Sequence, residues 1–139
     1  MPAPMGGRPM RQKSIHVEGL AHNAPIPVGC RVGPIFASSG VGGRDAATGE
    51  MPPDTETQAR NAFVNLDRIL AAAGFDWGDV VKVTVFVTEE GFRDVVNRYW
   101  VERYPDPDRR PARHTLVMPH LRRGQKVQLD ALAVAKTLG

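Results

Sequence analysis

At 139 residues the chain is long enough to bury one substantial core and too short for two. Its 42% hydrophobic and 24% charged residues describe a globular composition rather than a disordered one. No apolar run approaches the ~20 residues of a membrane span, and a single cysteine, Cys30, excludes an intramolecular disulfide. The net charge of +3 is a mild basic bias, gathered partly in Arg109, Arg110, Arg113, Arg122, Arg123 and Lys126. Few aromatics accompany it and no stacking motif of the RNA-binding kind is present, so nucleic acid is not the expected partner. The cytoplasm is the expected compartment.

Residues 1–13 lack the apolar segment of a secretory signal and are expected to form a flexible arm ahead of one domain over 14–139. A short strand is predicted at Ser14–Val17, then a loop at Asn23–Pro27, whose prolines block ladder pairing. Strands follow at Val28–Val32 and Ile35–Ser38 around a Gly33–Pro34 turn. Ser39–Gly43 and Asp45–Gly49 are glycine-rich turns in which backbone can approach a ligand, but they lack the lysine of a phosphate loop. Asp54 or Thr55 caps a helix whose apolar positions Ala59, Ala62, Phe63, Leu66, Ile69, Leu70 and Ala73 form one stripe, with Gly74 as the C-terminal stop.

The next predicted strand, Asp79–Val87, is expected to turn Val81, Val83, Val85 and Val87 one way and Lys82, Thr84 and Phe86 the other. Helical spacing returns over Gly91–Arg103 until Pro105 and Pro107. Two alternating strands close the chain, Arg110–Val117 and Lys126–Val134. This order implies an α+β two-layer sandwich: a mixed, mostly antiparallel sheet covered on one side by two helices. Phe86, Leu116, Leu132 and Val134 make the uncovered face partly apolar, which points to burial against partner subunits.

Arg113 stands at the start of a strand just after Pro111, where its guanidinium can offer a rigid two-pronged donor to a carboxylate. The plainer alternatives are a solvated hairpin, or an ion pair of Arg113 with Asp106 or Asp108. Gln128 and Asp130 share one strand face and are expected to look toward whatever Arg113 faces. His16, His22, His114 and His120 show no metal-ligand spacing, so a metal site is not expected. His114 alternates away from Arg113, and Trp77 and Trp100 fit core or interface positions.

An ordered set of words carries a resemblance: Ser39-Gly40 with Thr48-Gly49, Gln58-Ala59-Arg60, Asn65-Leu66, Ala72-Ala73-Gly74, Asp79 through Val87, Val96-Asn97, Pro111-Ala112-Arg113 and Ala131-Leu132-Ala133-Val134. From Ser14 onward the chain resembles the Rid family, also called YjgF-type or reactive-intermediate deaminases. The resemblance implies a chorismate-mutase-like fold, a homotrimer around a central barrel, and small-molecule sites at the subunit interfaces. It implies that Arg113 clamps a substrate carboxylate, that backbone groups near Gly40 and Thr115 hold the imino end and the water, and that Asn97 supports the site. The family reaction is hydrolysis of a reactive enamine or imine, such as 2-aminoacrylate, to a 2-keto acid and ammonia, without a cofactor.

Three positions depart from the family pattern. Gln128 replaces a glutamate thought to help activate the water, and an amide cannot exchange a proton as an acid. Ile26 falls about where a pocket tyrosine stands, and Thr115 where a cysteine is common. Ile26 suits a pathway-specific deaminase of an aminomuconate-type dienamine, whereas Gln128 favours a non-catalytic binder of small carboxylates. A third alternative is an endoribonuclease carried by Arg109, Arg110, Arg122 and Arg123, for which no acid–base pair is evident.

Overall fold

A computed structural model of the chain describes residues 9–136. Of the expected N-terminal arm, residues 1–8 lie outside the described residues, and Lys13 opens the first strand. The strands are β1 (Lys13–Ile15), β2 (Gly29–Val32), β3 (Ile35–Ser38), β4 (Val41–Gly42), β5 (Val80–Val87), β6 (Ala112–Val117) and β7 (Val127–Val134). The helices are α1 (Thr55–Ala73) and α2 (Arg93–Arg103). One sheet runs β1-β2-β3-β7-β5-β6, with β4 also on β7, and only the β5–β6 pair is parallel. The α+β architecture expected from the element order is present.

Local chemistry accounts for the helix ends. The Asp54 carboxylate accepts from the Thr57 backbone N–H at 2.8 Å and caps α1, and Gly74 closes it with φ 87°. The apolar stripe from Ala59 to Ala73 is buried as its spacing requires. It meets Val83, Val85 and Val87 of β5 and Val127, Leu129, Ala131 and Ala133 of β7 in one core, which α2 completes through Val96 and Trp100.

Two details depart from the sequence expectation. Val81 does not join the inward valines: it is 49% exposed while Val80 is buried. A bulge between Val80 and Lys82 inserts one residue and resets the alternation, so the inward set is Val80, Val83, Val85 and Val87. The stretch after Ser38 is also more than a turn. β3 leaves β7 at the Ala37–Leu132 pair, and β4 rejoins it at Val41–Leu129. Between them the Ala131 N–H donates to the Ser38 hydroxyl at 2.9 Å, which replaces the missing ladder bond.

Polar side chains on α1 fasten the loops around β4. Gln58 is fully buried. Its Nε2 donates to the carbonyls of Pro52 (2.7 Å) and Gly124 (3.1 Å), and its Oε1 accepts from the Lys126 N–H at 2.7 Å. Asn65 donates to the carbonyls of Gly42 (3.0 Å) and Arg44 (2.8 Å), and Asn61 to that of Gly43 (3.1 Å). Gly43 has to be glycine, because a Cβ there would lie 2.2 Å from the Gln58 carbonyl oxygen.

The face of the sheet away from the helices carries Ile35, Leu116, Leu132 and Val134, all exposed in the single chain. Asp130 lies on this face opposite Thr84. Burial raises its carboxyl above the ordinary aspartate value, and the Thr84 hydroxyl and the Lys82 charge offset that only in part.

Replacing Gln58 with leucine keeps the shape but strands the Lys126 N–H, so a loss of about 1–3 kcal/mol is expected in urea unfolding. A raised folded-state value means that the Asp130 charge destabilises above that value, and that the penalty fades as the pH falls toward 3.8 and the proton binds. Asp130→Asn should therefore melt higher than wild type at pH 7, with the difference shrinking toward pH 4 in parallel thermal melts.

Candidate functional site

The parallel ladder places Arg113 beside Val83 and Thr115 beside Val85. Both valines are fully buried beneath the helices. Because neighbours in register share a face, Arg113 and Thr115 project on the helix side at the sheet edge, and His114 projects away, as the alternation predicts. α2 runs over this edge and presents Arg93, Asn97 and Trp100 at helical spacing along one stripe.

The guanidinium of Arg113 is held by neutral groups only. Its Nε donates to the Thr115 hydroxyl at 2.8 Å and its Nη2 to the Asn97 side-chain oxygen at 2.7 Å. The Trp100 ring centroid lies 5.0 Å away. Arg93 approaches from α2 and donates to the Thr115 carbonyl at 3.2 Å. Among the described residues no carboxylate pairs with Arg113. Asp106, one of the two alternatives for such a pair, instead accepts the Asp108 N–H within its own turn at 2.9 Å. Burial first, and the Arg93 charge second, loosen the proton of Arg113 relative to a free arginine. A half-buried cation oriented by neutral acceptors can take an anion as its partner; the neighbouring Arg93 is itself paired with Glu90.

Gln128, Gly40 and Ile26 sit elsewhere, around a cavity of about 400 Å³ beside β4. A Cβ on Gly40 would lie 2.6 Å from Gln128 Nε2, so the glycine makes room for the amide. That nitrogen donates to Gln125 Oε1 at 3.3 Å. Ile26 is half exposed at the rim. The Ser39 hydroxyl donates to the Pro27 carbonyl at 2.7 Å, tying the rim to the turn that holds Gly40.

Within one chain the register does not turn Gln128 and Asp130 toward Arg113. Gln128 pairs with Phe86 and Asp130 with Thr84, while Leu116 and His114 stand beside those two on β6. Gln128 and Asp130 therefore belong to the open face and Arg113 to the helix face, with β5 between their strands. The chain gathers the named residues into two groups, Arg113–Thr115–Asn97 and Gln128–Gly40–Ile26. Sequence reasoning passed over Arg93, the contact of the core residue Trp100 with Arg113, Gln125 and Arg44. The spacing of Arg93, Asn97 and Trp100 on one helix could have revealed the first two. Gln125 and Arg44 carry no comparable signal. Among the described residues no cluster of three or more His, Cys, Asp or Glu is placed to hold a metal ion, and no helix is long and apolar enough to cross a membrane.

Comparison with known proteins identifies the family and its fold. The family model for Endoribonuclease L-PSP matches residues 21–135. Protein DfrA of Myxococcus xanthus is 35% identical over 136 residues, covering 92% of this chain and 99% of the relative. The 2-iminobutanoate/2-iminopropanoate deaminase of Escherichia coli K12 is 32% identical over 120 residues, covering 82% and 94% respectively. The crystal structure of the YjgF gene product from E. coli superposes with a TM-score of 0.80 at 32% identity, over 88% of this chain and 98% of that one. E. coli TdcF with bound serine gives 0.78 at 28% identity, over 89% and 99%. A family match over most of the chain, a relative matched over nearly its whole length and a shared fold make this protein a member of the Endoribonuclease L-PSP family, the YjgF/Rid family.

Proposed function

We propose that the protein hydrolyses the imine or enamine of a carboxylic acid to a 2-keto acid and ammonia, at a site built by two copies of the chain. The observation that carries this reading is the unpaired, half-buried guanidinium of Arg113, held ready by Thr115 and Asn97. Two relatives support it: a 2-iminobutanoate/2-iminopropanoate deaminase, and TdcF, whose structure holds the amino acid serine.

Arg113 and Gln128 face opposite sides of one sheet, so a ligand that meets both takes them from different copies. The exposed apolar face gives those copies a reason to associate, as a homotrimer in this reading. Arg113 of one copy clamps the carboxylate through two parallel hydrogen bonds. The amide oxygen of Gln128 in the next copy accepts a hydrogen bond from a water and aims it at the C=N carbon. An enamine first takes a proton on carbon to become the imine. Water then adds to carbon, its proton passes to nitrogen, and the C–N bond breaks to leave ketone and ammonia. A protonated imine is already electrophilic, so positioning supplies much of the acceleration and no cofactor is required. Gln128 orients the water without exchanging protons with it.

A non-catalytic carboxylate binder is the second reading, favoured by the amide at Gln128. Ribonuclease activity fits less well: the cavity beside Gly40 is lined by one histidine, His22, and by no carboxylate that could complete an acid–base pair.

Ammonia release from 2-aminoacrylate generated in situ separates these readings. Arg113→Ala should lower kcat/KM by about a hundredfold or more, and Arg113→Lys by about tenfold, since lysine lacks the planar fork. Gln128→Glu should raise turnover by about tenfold or more by adding a proton-exchanging group. Gly40→Ala should lower turnover by displacing the Gln128 amide, at a stability loss below about 1 kcal/mol because only the mobile end of a side chain moves. Wild-type turnover that survives Arg113→Ala would contradict the proposal. Thermal stabilisation by carboxylates without ammonia release would favour the binder.

A further inference from the structure

The cleft beside Gly40 and Gln128, about 400 Å³ in the single chain, carries more positive charge than the imine of a four-carbon monocarboxylic acid requires. Three arginines, Arg44, Arg122 and Arg123, line the cavity, and no aspartate or glutamate does. None of the three forms an ion pair among the described residues.

Two of the three are positioned by contacts with neutral groups. Arg44 Nη2 donates to the Ala21 carbonyl at 3.0 Å. Arg123 holds the left-handed backbone region at φ 60°, which side chains other than glycine disfavour. With its amide oxygen turned toward Arg123, Asn23 accepts from Nη1 at 3.0 Å. Leu20, Val28, Met51 and Ile69 supply apolar wall. Arg44 is half-buried and Arg122 and Arg123 are exposed, so all three can turn guanidinium donors toward an anion in the cavity.

We propose that the substrate is a dianion: one carboxylate, beside the C=N group, goes to Arg113, and a second anionic group at the far end of the molecule is received by Arg44, Arg122 and Arg123. This inference rests on the two-copy hydrolytic site described above. The second group is a carboxylate or a phosphate, both of which arginine binds through the same paired donors.

The test compares imines generated in situ by oxidation of 2-aminobutanoate, glutamate and 2-amino-4-phosphonobutanoate. One is a monoanion, the other two carry the second charge as carboxylate or phosphonate. In wild type, kcat/KM should favour at least one of the two by about tenfold or more over the monoanion. The favoured one identifies the group. Arg44→Gln, Arg122→Gln and their combination should bring that ratio down toward one. A parallel readout needs no turnover: 2-oxoglutarate or 2-oxo-4-phosphonobutanoate should raise the melting temperature more than 2-oxobutanoate does, and the double substitution should remove the difference.

Hydrolysis of the monoanion with no dianion preference in either readout would uphold the reaction and overturn the dianion. A preference that the arginine substitutions leave intact would also overturn it. Selective melting stabilisation by a dianion, lost on substitution in a wild type that releases no ammonia, would uphold the dianion site and sink the hydrolysis.

Discussion

Arg113 pairs with Val83 and Thr115 with Val85 across the one parallel ladder in the sheet. That register governs the rest of the site. It sends the guanidinium to the helix side, where α2 supplies Asn97 as a neutral acceptor and Trp100 as a ring surface. The same alternation, carried across β5 to β7, sends Gln128 to the opposite face. A one-residue slip of β6 would turn Arg113 into the open face and bury His114 in its place. The parallel connection is possible because α2 spans the distance between β5 and β6, which a tight turn cannot do. The helix that closes the core therefore also orients the Arg113 guanidinium.

The second group of residues depends on a different device. β4 is only two residues long and would be a weak element alone. α1 holds it through Asn61 and Asn65, while Gln58 holds the approach to β7 at Lys126. All of these are side chain–backbone bonds at buried or half-buried positions, where a missing partner would leave a desolvated polar group. The cavity wall is thus fixed to the helix that anchors the hydrophobic core, and Gly40 can sit against Gln128 without a flexible loop intervening. Rigidity of this kind suits a site that works by positioning.

Much of this was legible in the sequence. The α1 stripe, its Asp54 cap and its Gly74 stop are local signals, and they placed the helix well. The alternation in β7 and the arginine after Pro111 were equally readable. What escaped depends on pairing between distant segments. The bulge at Val80–Lys82 inverts the facing of Val81, and no local pattern distinguishes it from a regular strand. The facing of Gln128 and Asp130 relative to Arg113 within one chain escaped for the same reason: period-2 alternation fixes which residues share a face within a strand, but the relation between two strands' faces requires their register. Arg44 joined the cavity through the path of a glycine-rich turn, which the sequence leaves open. The resemblance named Arg113, Gln128, Gly40 and Asn97; the register separates them into two groups, with Arg113 and Gln128 on opposite faces of the sheet.

In the proposed site, Arg113 comes from one copy and the Gly40–Gln128 wall from another. Subunit mixing addresses it most directly. Arg113→Ala removes one half, and Gly40→Leu fills the other; each variant alone should release little ammonia. Refolded together in equal amounts, with mixed assemblies verified by distinct affinity tags, they should regain activity at about one quarter of the sites, the share with two intact halves under random assembly. Mixed assemblies that stay as inactive as either parent, beside an active wild type treated identically, would contradict the claim and return the site to a single chain.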